Sequence, residues 1–216
     1  MNCRFQVQSV KPVENPITVF RVMEPGNGDQ MEPVPVLTFR AVQPAEAGRL
    51  AAMAARIWQE AYGEILSVAQ IGYMLQRMYD PGVIVEEIRG GTVWEWAVLG
   101  GEEVGFLSWS GMQHEPVLHL HKLYLDGRCR GRGLGQQMLG HVKTAALALG
   151  MEGVELRVNR ENRLALRAYQ RAGFSRVKED CADIGGGFVM DDHILRWRSD
   201  PCRREEPEGI RDPSGG

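Results

Sequence analysis

A chain of 216 residues suits one domain with tails better than two domains, because each domain must bury its own core. Its 44% hydrophobic and 25% charged residues are the usual globular balance, and a formal charge of −3 gives no electrostatic reason to expect nucleic acid or an anionic membrane as partner. Cys3, Cys129, Cys181 and Cys202 are scattered, with no C-x-x-C pair and no histidine at metal-ligand spacing, and no run reaches the roughly 20 apolar residues that span a bilayer, so a reduced, cytoplasmic protein is expected.

Residues 1–36 carry Pro12, Pro16, Pro25, Pro33 and Pro35 and the stretch Gly26-Asn27-Gly28-Asp29, which interrupt helix and central strand alike. They are expected to form an extension outside the core, poorly ordered or an edge strand, with Met31 a possible start of translation. The domain itself is expected over residues 37–199. Val36 to Val42 reads as a strand. From Pro44 onward, Ala47, Leu50, Ala51, Ala54, Ile57 and Trp58 recur at helical spacing, and a second helix is predicted from its N-cap Ser67 to about Met78. Asp80-Pro81-Gly82 then breaks the chain. Thr92 to Leu99, Glu103 to Ser110 and Val117 to Leu125 read as an antiparallel meander of three strands. A helix from about Gly133 to Leu149 follows, then a strand from Gly153 to Val158, a helix from Asn162 to Ala172, and strands around Phe174 to Glu179 and Phe188 to Trp197. From residue 200 to 216 the chain is charged and rich in Pro and Gly, the composition of a disordered tail.

Arg130-Gly131-Arg132-Gly133-Leu134-Gly135 stands between the strand ending at Leu125 and an amphipathic helix carrying Leu134, Met138, Leu139 and Val142. Glycines there let the backbone approach a pyrophosphate, and the free N–H groups of a helix start favour anionic oxygens. Arg128, Arg130 and Arg132 add positive charge. A dinucleotide fingerprint needs Gly where Gln136 stands, and a P-loop needs Gly-Lys followed by Ser or Thr; neither is present. Taken alone, the hexamer also reads as a solvated turn before a helix.

Downstream lies Asn162-x-x-Ala165-x-x-x-Tyr169-x-x-x-Gly173-Phe174. Asn162 can cap the helix or offer its amide to a ligand, Ala165 allows close packing, and Tyr169 follows on nearly the same face. Gly173 suits the helix end and Phe174 the return to the core. In this order and at this separation, the two motifs resemble the GNAT superfamily of acyl-CoA N-acetyltransferases over about residues 37 to 198. The carrying residues are Arg130, Gly133 and Gly135 of an R-x-x-G-x-G signature and the Asn162 to Phe174 helix. The ending Asp183-Ile184-Gly185-x-Gly187-Phe188-x-Met190-x-Asp192 is similar to bacterial members with small-molecule substrates.

The resemblance implies an α/β fold with a mixed, mostly antiparallel sheet, splayed in the middle and flanked by helices on both faces. It implies acetyl-CoA as co-substrate, with the backbone of Leu123 and Leu125 pairing with the pantetheine arm like an added strand. The amides of Arg130, Gly131, Arg132, Gly133, Leu134, Gly135 and Gln136 would hold the pyrophosphate. Asn162 would contact the pantetheine arm, and Tyr169 would face the sulfur.

Attack of an amine on a thioester requires a neutral amine, donors for the oxyanion and a partner for the thiolate, and it requires no metal. A backbone N–H near Leu123 is the candidate oxyanion donor. Tyr169 is the candidate for the leaving group, although a phenol near 10 would protonate a thiolate near 8.5 uphill by about 2 kcal/mol, so hydrogen bonding, or packing alone, is the other reading. His119 stands where many members carry a strand Glu. Period-two alternation places His119 and His121 on one face and Tyr124 on the other. An imidazole near 6.5 taking a proton from an ammonium near 10.4 faces about 5 kcal/mol, so His119 is expected as base or as organiser of a water chain. Tyr62 and Tyr73 are candidate acceptor-specificity residues, and Asp191 and Asp192 either orient a cationic substrate or are solvated charge. The acceptor is a small-molecule or peptide amine. A CoA-binding sensor without efficient catalysis is the alternative, and a homodimer is the base-rate assembly.

Overall fold

The computed structural model describes residues 35–199. The expectations for the Met31 start, for nearly all of the 1–36 extension and for the 200–216 tail lie outside the described residues. Seven strands form one sheet in the order β1-β2-β3-β4-β5-β7-β6. They are β1 (Thr38–Ala41), β2 (Val93–Leu99), β3 (Glu102–Gly111), β4 (Val117–Leu125), β5 (Gly153–Asn159), β6 (Ser175–Gly185) and β7 (Phe188–Arg198). Every neighbouring pair is antiparallel except β4 with β5.

Helices cover both faces. On one lie α1 (Ala47–Tyr62), α2 (Val68–Tyr79) and α3 (Pro81–Arg89), which bury Leu50, Ile57, Trp58, Ile71 and Ile84 against Trp94, Trp96 and Phe106. On the other, α4 (Leu134–Ala148) buries Leu134, Met138, Leu139 and Val142 against Leu107, Leu118 and Leu156, with α5 (Arg163–Arg171) alongside. Each such side chain contributes about 1.5–3 kcal/mol when removed from water, which fixes the register of the sheet between the layers.

Asp80-Pro81-Gly82 ends α2 but does not end helical structure. The Asp80 carboxylate accepts from the Gly82 amide at 2.8 Å and Pro81 fills the first turn, so the break is also the start of α3. The β-branched run Val83-Ile84-Val85 masks this helix in the sequence, because tertiary burial of Ile84 outweighs its weak intrinsic preference.

Two features shape the site. The parallel pairing of β4 and β5 covers only Val117 to Leu120 against Gly153 to Leu156, after which the strands part. The long β6–β7 hairpin reaches back to α2: the Tyr73 hydroxyl donates to the Ile184 carbonyl at 2.7 Å, and the Gln70 amide to that of Val189 at 3.1 Å.

Candidate active site

The parting of β4 and β5 opens a cleft of about 1000 Å³. Its walls are the second half of β4 and the end of β5, and α4 begins at its edge. The Asp126 amide donates to Val104 at 2.8 Å, so by strand alternation Tyr124 and Asp126 turn their amides to β3 and those of Leu123 and Leu125 face the opening. Gly105 permits this close pairing, since a methyl there would collide with the Tyr124 carbonyl.

At the cleft edge, Asp126 organises the turn into α4. Its buried carboxylate accepts from the Arg128 amide at 3.0 Å, from the Arg128 guanidinium at 3.1 Å and from Arg56 at 2.9 Å, which holds it far below the usual carboxylate range. Arg128 is thereby committed to Asp126. Gly131 and Gly133 adopt left-handed φ values of 78° and 76°, open to glycine at little cost. The amides of Gly131 to Gly135 find no acceptor among the described residues, and they sit at the positive end of a helix of 15 residues. This is a fit for phosphate oxygens. Arg130, Gly131, Gly133, Leu134, Gly135 and Gln136 line the cleft, whereas Arg132 does not. The Gln136 side chain donates to the Ala168 carbonyl at 2.9 Å, fixing α4 to α5.

Asn162 and Tyr169 lie on the facing wall. Asn162 Oδ1 accepts from the Ala165 amide at 3.1 Å as the cap of α5, and its NH₂ group is turned toward the Tyr62 hydroxyl at the cleft. Tyr169 stands edge-on to Phe174 at 5.9 Å. Burial, then the neighbouring Tyr62, pushes its phenol up, so Tyr169 stays protonated and donates a hydrogen bond more readily than a proton.

The structure corrects the expected faces of β4. The register against β3 shifts between Ser108–Lys122 and Trp109–Leu120, a bulge that contains His121. Beyond it the alternation is reversed, so Tyr124 shares the α1–α2 face with His119 and His121 instead of opposing them. The histidine rings are 4.7 Å apart, and His121 Nε2 shares a hydrogen bond of 2.8 Å with Ser110 Oγ. Desolvation lowers both imidazoles, against which Glu155 acts on His119 from 3.9 Å. Both are neutral near pH 7. Tyr124 meets Tyr62 hydroxyl to hydroxyl at 3.4 Å, within a cluster that includes Trp58 and Tyr79.

The model of the acetyltransferase (GNAT) family matches residues 51–174. The chain belongs to the GNAT family. It is 33% identical over 81 residues to an uncharacterized N-acetyltransferase of Methanocaldococcus jannaschii, a match that covers 35% of this chain and 36% of that protein. The chain thus spans about a third of the length of that curated relative. Among solved structures, the PaiA N-acetyltransferase of Thermoplasma acidophilum in complex with coenzyme A has a TM-score of 0.64 at 19% identity, covering 76% of this chain and 99% of that one. A GCN5-related N-acetyltransferase of Rhodopseudomonas palustris has a TM-score of 0.65 at 19% identity, covering 80% and 100%. Both share the GNAT fold: an α/β architecture around a mostly antiparallel sheet.

The GNAT cleft gathers His119, Leu123, Leu125, Arg130, Gly131, Gly133, Leu134, Gly135, Gln136, Asn162 and Tyr169, whereas Arg128 and Arg132 lie outside its lining. Tyr62 also lines it, but Tyr73 is committed to the hairpin carbonyl. The adjacent aspartates separate. Asp191 pairs with Arg160 at 2.6 Å, while Asp192 is fully buried at the cleft, 3.4 Å from Arg157, with Oδ1 lacking a donor among the described residues, and burial raises its pKa. His141 stacks on Phe39 and bonds Glu95 at 3.0 Å, a structural role. Sequence reasoning missed Glu155, Lys122 and the bulge; the consecutive polar pair His121-Lys122, which interrupts an alternating strand, was the signal.

Proposed function

We propose that this chain transfers an acetyl group from acetyl-CoA to the amine of a small molecule or peptide, within a domain over residues 37–199 and in the cytoplasm. The observation that carries the reading is the row of unpaired amides from Gly131 to Gly135, which opens into the same cleft as Tyr169 and His119. The coenzyme A bound by the Thermoplasma relative supports the same ligand here.

Acetyl-CoA supplies an activated acyl carbonyl when bound. The outward-facing backbone of Leu123 and Leu125 offers an edge for the pantetheine arm, and Leu123 N–H a donor to developing oxyanion charge. Asn162 offers its NH₂ group to the arm. The Tyr169 hydroxyl hydrogen-bonds the departing sulfur; its raised pKa makes full proton transfer more uphill than the ordinary phenol already is. His119 is lowered as well, so direct abstraction from an alkylammonium is steeper than about 5 kcal/mol. The amine therefore loses its proton before attack, to water ordered by His119, and desolvation in the aromatic cleft favours the neutral amine.

Thermal shift with coenzyme A, together with thiol release from acetyl-CoA across an amine panel, tests this reading. Coenzyme A should raise the Tm, and at least one amine should release thiol. No coenzyme A effect sinks the proposal, while tight binding without turnover of any amine returns the sensor.

A further inference from the structure

Lys122 is the second residue of the polar pair at the β4 bulge, and the bulge turns it onto the face that carries His119 and Tyr124. It lines the cleft beside Leu123. Among the described residues no carboxylate lies within 4 Å of its ammonium group. Its contacts are the Met78 sulfur at 3.8 Å and the Tyr79 ring at 5.5 Å. A thioether and a ring face soften the loss of water but do not neutralise a charge. Desolvation lowers the Lys122 pKa, and the carboxylate that acts against this, Glu87, is more distant and accepts a bond of 3.0 Å from Trp94.

Among the described residues the compensating charge is that of the more distant Glu87. His119 and His121 are neutral, and Tyr62, Tyr79 and Tyr124 are raised and protonated. Of the arginines that line the cleft, Arg157 pairs with Asp180 and Asp192, Arg130 approaches Glu60 at 4.0 Å, and Arg163 and Arg171 stand on α5. Lys122 therefore stands in the cleft, on the face of β4 that carries His119 and Tyr124, as a partly buried ammonium group with no carboxylate within 4 Å among the described residues.

We propose that the acceptor carries an anionic group, a carboxylate, in addition to its reacting amine, and that Lys122 receives that carboxylate. This deepens the acetyltransfer reading and rests on it. An ammonium–carboxylate pair in a water-poor cleft forms charge-assisted hydrogen bonds, and an acceptor lacking the carboxylate leaves the lysine unpaired, which penalises it twice. The aromatic wall formed by Tyr62 and Tyr124 would hold the carbon frame between the two ends.

The test compares amines that differ only in the carboxylate, such as ω-amino acids with alkylamines and aromatic amino acids with their decarboxylated amines. The wild-type chain should favour the carboxylated member by about tenfold or more in kcat/KM. Lys122→Met should bring the ratio within about twofold, chiefly through KM, and Lys122→Arg should keep most of it. A wild-type preference for the uncharged member, equal rates, or a Lys122→Met protein that keeps the wild-type ratio would overturn the proposal. The same pairs added to CoA-saturated protein give a binding readout by Tm if turnover is slow, and equal shifts from both members are equally fatal. Acetylation of Lys122 itself, read by peptide mass after incubation with acetyl-CoA, would also overturn it. Absence of any Tm response to coenzyme A alone instead marks failure of the acetyltransfer reading.

Discussion

His119 Nδ1 lies 3.9 Å from Glu155 Oε1, on residues that are Cα partners one rung before β4 and β5 part. The carboxylate is engaged by Arg196 at 2.5 Å, which in turn reaches Glu115 at 2.6 Å, so a chain of charged groups backs the histidine. Desolvation outweighs this support and holds the imidazole below its ordinary 6.5. The acid limb of kcat should accordingly fall below pH 6.5, and His119→Gln should remove it while lowering kcat by about ten- to a hundredfold. Glu155→Gln removes a raising influence and should move the limb to lower pH. A limb that stays in place in both variants would exclude His119. The sign for stability is that of a lowered base: the unfolded chain binds the proton more readily, so this contribution is complete above pH 6.5 and is lost as pH falls through the folded value.

Tyr169→Phe should lower kcat by about ten- to a hundredfold with little change in the coenzyme A thermal shift, because the hydroxyl acts where charge develops on sulfur. Steady-state kinetics and Tm on the same protein separate the two effects. Unchanged turnover would reduce Tyr169 to packing against Phe174.

Gly133→Val should abolish the Tm response to coenzyme A. It puts a β-branched residue at φ 76° and a side chain over the amide row, and the backbone strain alone should cost about 1–3 kcal/mol. Arg130→Ala should weaken binding more than Arg132→Ala, since Arg130 lines the cleft. Equal effects would count against the cradle as described.

Asp192 combines an Oδ1 without a donor among the described residues with a pKa raised by burial, then offset by Arg157. A raised acid keeps its proton longer in the folded chain, so stability is lost as pH climbs from the ordinary aspartate range through the folded value. Asp192→Asn should remove that dependence and match or exceed the wild-type stability at pH 8, by about 1 kcal/mol, since Arg157 retains Asp180. Urea unfolding across pH 4 to 8 measures it, and a destabilised variant at pH 8 would show the carboxylate to be fully satisfied.

The phosphate loop and the Asn162 helix were legible because their chemistry is local: spacing within a turn dictates which amides are free and which side chains share a face. The β4 faces were not, because the alternation of His119, His121 and Tyr124 holds only until a bulge inserts a residue, and a bulge is decided against the partner strand β3. The missed helix α3 has the same origin, since Asp80-Pro81-Gly82 spells both an ending and a beginning. The roles of Asp191 and Asp192 depend on which arginine each meets, Arg160 or Arg157, and those partners lie just after β5 and on β5.

With only four rungs joining β4 to β5, the sheet is two half-sheets sewn together along a short seam. Whatever occupies the opening touches both halves and bears load between them, so occupancy and cohesion are thermodynamically linked. Backbone amides on either bank of the seam, rather than those deep in β2 or β3, should therefore gain the most protection from hydrogen exchange when it is filled.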